Sequence, residues 1–183
     1  MKKVFTAILL FAACIAASAQ RTVAESPFVC IEGGIPFGTK GFSAEASYGR
    51  YTLGGYWDVR GSFLNMVKTT SGLGNEYDVV QYYGSADYMW RLLGTWNRVL
   101  NFYAGTGVML GMESIDPRNV LSGGEVVEGS TEHFIYGAVG ILSAELYVFP
   151  NFSLCFSARG RFIGGSRYGA LFSGASAGVR ISF

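Results

Sequence analysis

Apolar and polar residues alternate along most of the chain, and the alternation is clearest near the C-terminus. Between Phe152 and Phe162, every second residue is apolar or small, and the residues between them are serine, cysteine and arginine. A period of two predicts a β-strand with two unlike faces. A second segment of this kind runs from Leu171 to Phe183, after a short turn at residues 164–166.

The same pattern predicts six further strands upstream of this pair. The eight predicted strands cover residues 28–35, 42–52, 56–67, 77–92, 98–112, 132–148, 152–162 and 171–183. The longest predicted connections, residues 68–76 and 113–131, both follow odd-numbered strands, whereas the connections near Gly54, Leu93 and Pro150 are short. Long connections at one end and short ones at the other are typical of outer-membrane barrels.

The continuous apolar face of these strands needs a covering, and the sequence offers no second layer of elements. We therefore expect the apolar face to meet lipid and the polar face to line an interior. Because hydrocarbon provides no hydrogen-bonding partners, such a sheet must close on itself. The predicted fold is all-β: an eight-stranded antiparallel up-and-down transmembrane barrel. A helical span at residues 134–149 is less favoured, since the stretch is short and contains Ser143 and Glu145.

The N-terminus has the features of a secretory signal peptide. Lys2 and Lys3 precede an apolar run, and Ala17-Ser18-Ala19 fits a cleavage site. We expect a signal peptide over residues 1–19 and one barrel domain over residues 20–183. Cys14 weakly suggests a lipoprotein, but the apolar run continues past it, so ordinary cleavage is favoured. The expected location is the outer membrane of a Gram-negative bacterium.

The C-terminal residues suggest how the barrel is inserted. Val179, Ile181 and the terminal Phe183 lie on one face of the last predicted strand. A terminal aromatic residue after alternating apolar residues resembles the end signal of bacterial outer-membrane barrels. Lipid and the barrel-assembly machinery are therefore expected partners.

Charge and cysteine content limit the possible functions. The net charge of +1 gives no reason to expect direct nucleic-acid binding. Cys30 and Cys155 are predicted on inward positions of strands that are not neighbours. Two strand spacings of roughly 4.8 Å exceed the ~7 Å allowed between bridged Cα atoms, so a disulfide would need an unusual register. The sequence contains no cysteine–histidine cluster for a metal, and no cofactor or small-molecule substrate is predicted.

Charged residues of both signs occur on the inward face. Glu32 lies there, and the predicted lumen network consists of Glu45, Asp58, Arg60, Asp87, Arg91, Glu145, Arg159, Arg161 and Arg180. An eight-stranded barrel is just wide enough for side chains to fill. We favour a packed structural network of ion pairs, because buried charges must be paired. A narrow polar channel is the alternative.

Catalysis has little support in the sequence. His133 is the single histidine, and Ser130 and Glu132 lie beside it. Triads are recognised by geometry rather than adjacency, and neighbours on a strand point to opposite faces. No catalytic residue is predicted and a non-enzymatic protein is expected, with a lipid-modifying barrel enzyme kept as an alternative.

Several short motifs resemble the TraO family of conjugal transfer proteins, which are encoded on conjugative transposons of Bacteroidetes. They are the signal segment ending at residues 19–21, the small-residue strand at 102–113, Phe134-Ile135-Tyr136-Gly137 with the later Glu145-x-Tyr147, Arg159-x-Arg161 before residues 164–166, and the glycine-rich final strand. Gly160 stands where the family is expected to carry an acidic residue.

The resemblance implies a component of the mating apparatus in the donor's outer membrane, and it brings no catalytic residues. It predicts a non-enzymatic barrel that anchors or assembles the transfer machinery, with other conjugal transfer proteins as partners. The alternative is a general outer-membrane barrel, acting as a narrow pore, adhesin or envelope stabiliser.

Overall fold

The computed structural model describes residues 25–69, 76–94, 99–117, 131–166 and 169–183, and in them eight strands form one closed antiparallel barrel. Each strand pairs with its neighbours in sequence, and β1 pairs with β8 to complete the barrel. The strands are β1 (Pro27–Pro36), β2 (Lys40–Thr52), β3 (Gly55–Thr69), β4 (Glu76–Gly94), β5 (Leu100–Pro117), β6 (Thr131–Phe149), β7 (Phe152–Gly164) and β8 (Leu171–Ser182). The predicted fold class is confirmed.

The main difference from the predicted strands is in β5. The prediction that a loop begins at Glu113 is wrong, because β5 continues to Pro117 and pairs with β4 as far as Tyr77. The rest of that predicted loop, residues 118–130, lies outside the described residues, as do residues 70–75 and 95–98. The predicted signal peptide also lies outside them. The part of the chain that the structure describes contains no helix long and apolar enough to cross a membrane.

β1 begins and β8 ends at the same end of the barrel, which we call the terminal end. The Phe183 amide donates to the Pro27 carbonyl there over 3.1 Å. The opposite, loop end carries the connections that follow the odd-numbered strands. The strands differ in length, since β4 and β6 have 19 residues each while β1 has 10. The wall formed by β4 to β6 therefore projects furthest.

The outward face of the barrel is apolar and exposed. Val108 is 66% exposed and Leu142 is 61% exposed, although both lie in the middle of their strands. Aromatic side chains gather towards both ends of this face. Tyr88 and Trp90 pack at 5.0 Å between ring centroids near the terminal end, and Phe63 contacts Tyr82 at 5.1 Å towards the loop end.

The narrow lumen leaves some inward positions with no room for a side chain. A Cβ atom added to Gly107 on β5 would collide with Asp87 Oδ1 and lie 2.7 Å from the Ala86 carbonyl oxygen. A Cβ atom on Gly178 of β8 would lie 2.8 Å from Glu32 Cγ. Glycine at these two positions lets neighbouring charged side chains occupy the lumen.

Candidate functional site

The lumen is filled by inward side chains that form three layers. The terminal cluster lies at the terminal end and consists of Tyr51, Tyr103, Glu145, Tyr147, Ser153 and Arg180. The central network consists of Glu32, Glu45, Asp58, Arg60, Asp87, Arg159 and Arg161. The apolar cap lies towards the loop end and consists of Leu64, Met66, Val79, Ile115, Ile135 and Ile163. Every member of the three layers is buried.

The terminal cluster is organised around the Glu145 carboxylate on β6. The Tyr51 hydroxyl donates to Oε1 over 2.5 Å, the Ser153 hydroxyl donates to the same oxygen over 2.7 Å, and the Tyr103 hydroxyl donates to Oε2 over 3.1 Å. Arg180 Nη1 lies 3.4 Å from Oε1. Hydrogen bonds to an ionised group are stronger than neutral ones, so this carboxylate is well compensated for its burial.

Arg180 links the terminal cluster to two aromatic rings. Its guanidinium carbon lies 4.2 Å from the ring centroid of Phe28 and 4.3 Å from that of Tyr56. It also donates to the Tyr51 hydroxyl over 3.2 Å. A desolvated cation over a ring face is attracted by the ring quadrupole. Arg180 therefore has a counterion, a hydrogen-bond acceptor and two rings, and it joins β1, β2, β3 and β6 to β8.

Arg60 on β3 is the hub of the central network. Its Nη1 lies 3.4 Å from Glu32 Oε1 and 3.3 Å from Glu45 Oε2. Its Nη2 donates to Asp58 Oδ2 over 2.7 Å, and its Nε lies 3.6 Å from Asp87 Oδ2. One guanidinium group therefore holds four carboxyl groups from β1, β2, β3 and β4.

Two arginines from β7 complete the central network. Arg159 forms ion pairs with Glu32, at 2.8 Å, and with Glu45. Arg161 lies 3.4 Å from Glu45 and places its guanidinium 5.0 Å from the ring centroid of Tyr83. All three arginines thus contact Glu32 or Glu45, whereas Asp58 and Asp87 have ion pairs only with Arg60 among the described residues.

Polar contacts beside the apolar cap come from strand ends and a turn. Gln81 Nε2 donates to Glu113 Oε2 over 2.7 Å, and the Ser166 hydroxyl donates to the same oxygen over 2.9 Å. The β7–β8 connection is therefore joined to β4 and β5. Glu113 escaped prediction because its polar neighbours in sequence indicated a loop.

The structure brings most of the predicted lumen residues together, but it separates them into two groups. Glu145 and Arg180 belong to the terminal cluster, and the others, except for Arg91, belong to the central network with Glu32. Arg91 is exposed, and its side chain donates to the Leu53 carbonyl over 3.5 Å. Arg91 is still in register with the inward-facing Tyr103, but it is exposed at the terminal end and belongs to neither charged layer.

Other predicted residues have simpler surroundings. Cys30 and Cys155 are buried free thiols on β1 and β7, with β8 between those strands. Glu132 is exposed and the adjacent His133 is half-buried, as expected for neighbours on opposite faces of β6, while Ser130 lies outside the described residues. Val179 and Ile181 are exposed on the outward face of β8, followed by Phe183. Their role as an assembly signal stays a prediction.

The cavity that the described residues leave beside the central network is small. A cavity of about 10 Å³ reaches the central network from the loop end, between Ser43, Glu45, Arg159 and Ser176. A single water molecule needs roughly 10–15 Å³ of such volume. Within the described ranges, no group of three histidine, cysteine, aspartate or glutamate side chains is arranged to hold a metal ion. The charged groups beside this cavity are thus closely packed.

Comparison with known families identifies the chain. A family model described as conjugative transposon protein TraO matches residues 23–183. The chain belongs to the TraO family. The match includes all eight strands and both charged layers of the lumen, and it confirms the resemblance based on the short motifs. No curated protein matches the sequence.

Solved structures show that this TraO-family barrel has the fold of bacterial outer-membrane barrels. Neisserial surface protein A matches with a TM-score of 0.60 and 20% identity, over 86% of this chain and 97% of its own. The N-terminal β-barrel domain of Pseudomonas aeruginosa OprF matches with a TM-score of 0.53 and 17% identity, over 87% of this chain and 98% of its own. Ail, the attachment invasion locus protein of Yersinia pestis, matches with a TM-score of 0.51 and 14% identity, over 88% of this chain and 99% of its own. At these identities the likeness concerns the fold alone.

Proposed function

We propose that this protein is a non-enzymatic outer-membrane component of the mating apparatus of a conjugative transposon, where it anchors or assembles the transfer machinery. The observation that carries the proposal is the TraO family match over residues 23–183 on a closed barrel. The exposed apolar outward face supports insertion in lipid. Residues 1–19 direct export, and Val179, Ile181 and Phe183 are read by the barrel-assembly machinery.

The filled lumen supports a role for the outer surfaces of the barrel rather than for its interior. Buried ion pairs, tyrosines and the apolar cap occupy the space through which a substrate would have to pass. A general pore, the first alternative, would need that space. A lipid-modifying enzyme, the second, would need a nucleophile and a base on one face, whereas Glu132 and His133 lie on opposite faces of β6.

The test is the transfer frequency of the element from a donor that lacks this gene, with and without a restored copy. We expect transfer to fall by several orders of magnitude and to recover with the restored copy. Unchanged transfer would rule out an essential conjugative role. A restored copy carrying His133→Ala is a control for catalysis, and we expect it to support transfer fully.

A second measurement separates anchoring from assembly. Outer membranes are isolated from the donor with and without the gene, and the other transfer proteins are quantified in them. Loss of those proteins from the outer membrane supports anchoring. Proteins that stay in the membrane but no longer co-purify as one complex support assembly.

A further inference from the structure

The central network contains more acidic groups than basic ones. It has four carboxyl groups, from Glu32, Glu45, Asp58 and Asp87, and three guanidinium groups, from Arg60, Arg159 and Arg161. If every group were ionised, the network would carry one negative charge. An uncompensated charge in a buried site is costly, so a further positive charge is expected within the network.

The excess negative charge lies at Asp58 and Asp87. These residues are directly opposite each other on β3 and β4, and each side chain is 1% exposed. Glu32 and Glu45 also form a cross-strand pair, but Arg60, Arg159 and Arg161 all contact that pair. The aspartate pair has Arg60 alone, with Nη2 at 2.7 Å from Asp58 Oδ2 and Nε at 3.6 Å from Asp87 Oδ2.

Each of the two aspartates has one oxygen atom without a hydrogen-bond donor among the described residues. Asp58 Oδ1 and Asp87 Oδ1 are both buried, and no hydrogen-bond donor of the described protein reaches either of them. The Oδ2 atoms face Arg60, and Ser85 donates to Asp87 Oδ2 over 3.1 Å. A carboxyl group that keeps its proton is neutral and can donate a hydrogen bond to a neighbouring carboxylate. Two neighbouring carboxylates with one counterion favour this state.

We propose that Asp58 and Asp87 share one proton, which makes the central network electrically neutral in the folded barrel. A proton fits better than a metal ion, because no group of three histidine, cysteine, aspartate or glutamate side chains among the described residues is arranged to hold a metal. The other charged groups of the central network surround the pair: Glu32 of β1, Glu45 of β2, Arg60 of β3, and Arg159 and Arg161 of β7. Towards the terminal end, Arg180 of β8 is paired with Glu145 of β6. The proposal is independent of the role in conjugation.

Infrared spectroscopy of the purified, folded barrel tests the proposal directly. At neutral pH we expect a carbonyl band of a protonated carboxylic acid that shifts in D₂O. It should be absent from Asp58→Asn and from Asp87→Asn, and present in Glu145→Gln. A wild-type barrel without this band overturns the proposal. So does a band that persists in both aspartate variants, or one that disappears in Glu113→Gln instead.

The pH dependence of unfolding is a second test. A folded state that holds one more proton than the unfolded chain loses stability as the pH rises, by about tenfold in the unfolding equilibrium constant per pH unit. We expect this slope in urea unfolding of the wild type between neutral and mildly alkaline pH, and its loss in Asp87→Asn. Equal slopes in the two proteins would overturn the proposal. If Asp87→Asn does not fold, the wild-type infrared spectrum remains decisive.

Discussion

The terminal cluster and the central network are both buried sets of charged side chains, but they are compensated differently. In the terminal cluster, one carboxylate meets one guanidinium, and three hydroxyl groups and two aromatic rings complete their surroundings. In the central network, one arginine serves four carboxyl groups, and two carboxyl oxygens accept no hydrogen bond from the described protein.

The difference shows that charge in the lumen has two separable effects. A charge-balanced pair with complete hydrogen bonding fixes the positions of strands, so losing any member is expected to be costly. A network with more acidic groups than basic ones tolerates, or even gains from, the loss of an acidic group. The following variants test this distinction in order of decreasing expected effect.

The largest effect is expected when the arginine of the terminal cluster is removed. Arg180→Met leaves the Glu145 carboxylate buried without its counterion and removes two ring contacts. Breaking a buried pair in this way costs about 3–5 kcal/mol. Urea unfolding of the refolded barrel measures the loss, and the exposed Arg91→Met is the matched control. Equal stabilities of the two variants would contradict the importance of the terminal cluster.

Removing Arg60 is expected to be similarly costly, but it should be partly reversible. Arg60→Met leaves four carboxyl groups without their shared counterion, at a cost of about 3–5 kcal/mol. Adding Asp87→Asn should recover about 1–3 kcal/mol, since it removes one of the repelling charges. In the terminal cluster, adding Glu145→Gln to Arg180→Met should recover less, because Tyr51 and Ser153 lose their charged acceptor. If Asp87→Asn and Glu145→Gln recover the same free energy of unfolding, the two charged layers do not differ in how their charges are compensated.

A smaller effect is expected from a single hydroxyl group. Tyr103→Phe removes the hydrogen bond to Glu145 Oε2 and keeps the ring. A hydrogen bond to a charged group contributes about 1.5–3 kcal/mol. Tyr82→Phe, at an exposed outward position, should change the free energy of unfolding by less than ~0.5 kcal/mol. The same urea titration compares them, and a neutral Tyr103→Phe would show that Glu145 does not depend on this donor.

The smallest effect is expected from one added methyl group beside Asp87. Gly107→Ala places a Cβ atom against Asp87 Oδ1 and the Ala86 carbonyl, and such overpacking costs about 1–3 kcal/mol. Gly61→Ala on β3 meets no atom within 4 Å and should be close to neutral. If the two alanine variants unfold at the same urea concentration, the packing around Asp87 is looser than described.

The sequence was sufficient to predict the strands, their order and the closure of the barrel. The period of two separates outward from inward residues wherever the two faces differ in polarity, as in β2 and β7. It could not separate the two charged layers, because contacts across the lumen depend on the stagger of the strands. Glu32 and Arg159, for example, lie 127 residues apart in sequence and form a hydrogen bond of 2.8 Å.

Two kinds of site residue escaped prediction for local reasons. Arg91 keeps the inward parity of β4 but lies at the terminal end, where its side chain is exposed. The apolar cap was missed because inward Leu64 and Met66 are as apolar as the outward residues near them, so polarity no longer marks the lumen side. Tyr51 shares the inward parity of Glu45, but only the closed barrel brings its hydroxyl to Glu145.

Ion conductance in planar lipid bilayers tests the central claim most directly, namely that the protein is a barrel with a filled lumen that serves conjugation through its surfaces. The purified wild-type barrel is compared with a porin as a positive control. We predict that the barrel inserts, as shown by protease protection in matched vesicles, and carries no steady current. Regular unitary current steps from the inserted wild-type protein would contradict the account, because they would require a continuous aqueous path through the terminal cluster and the central network.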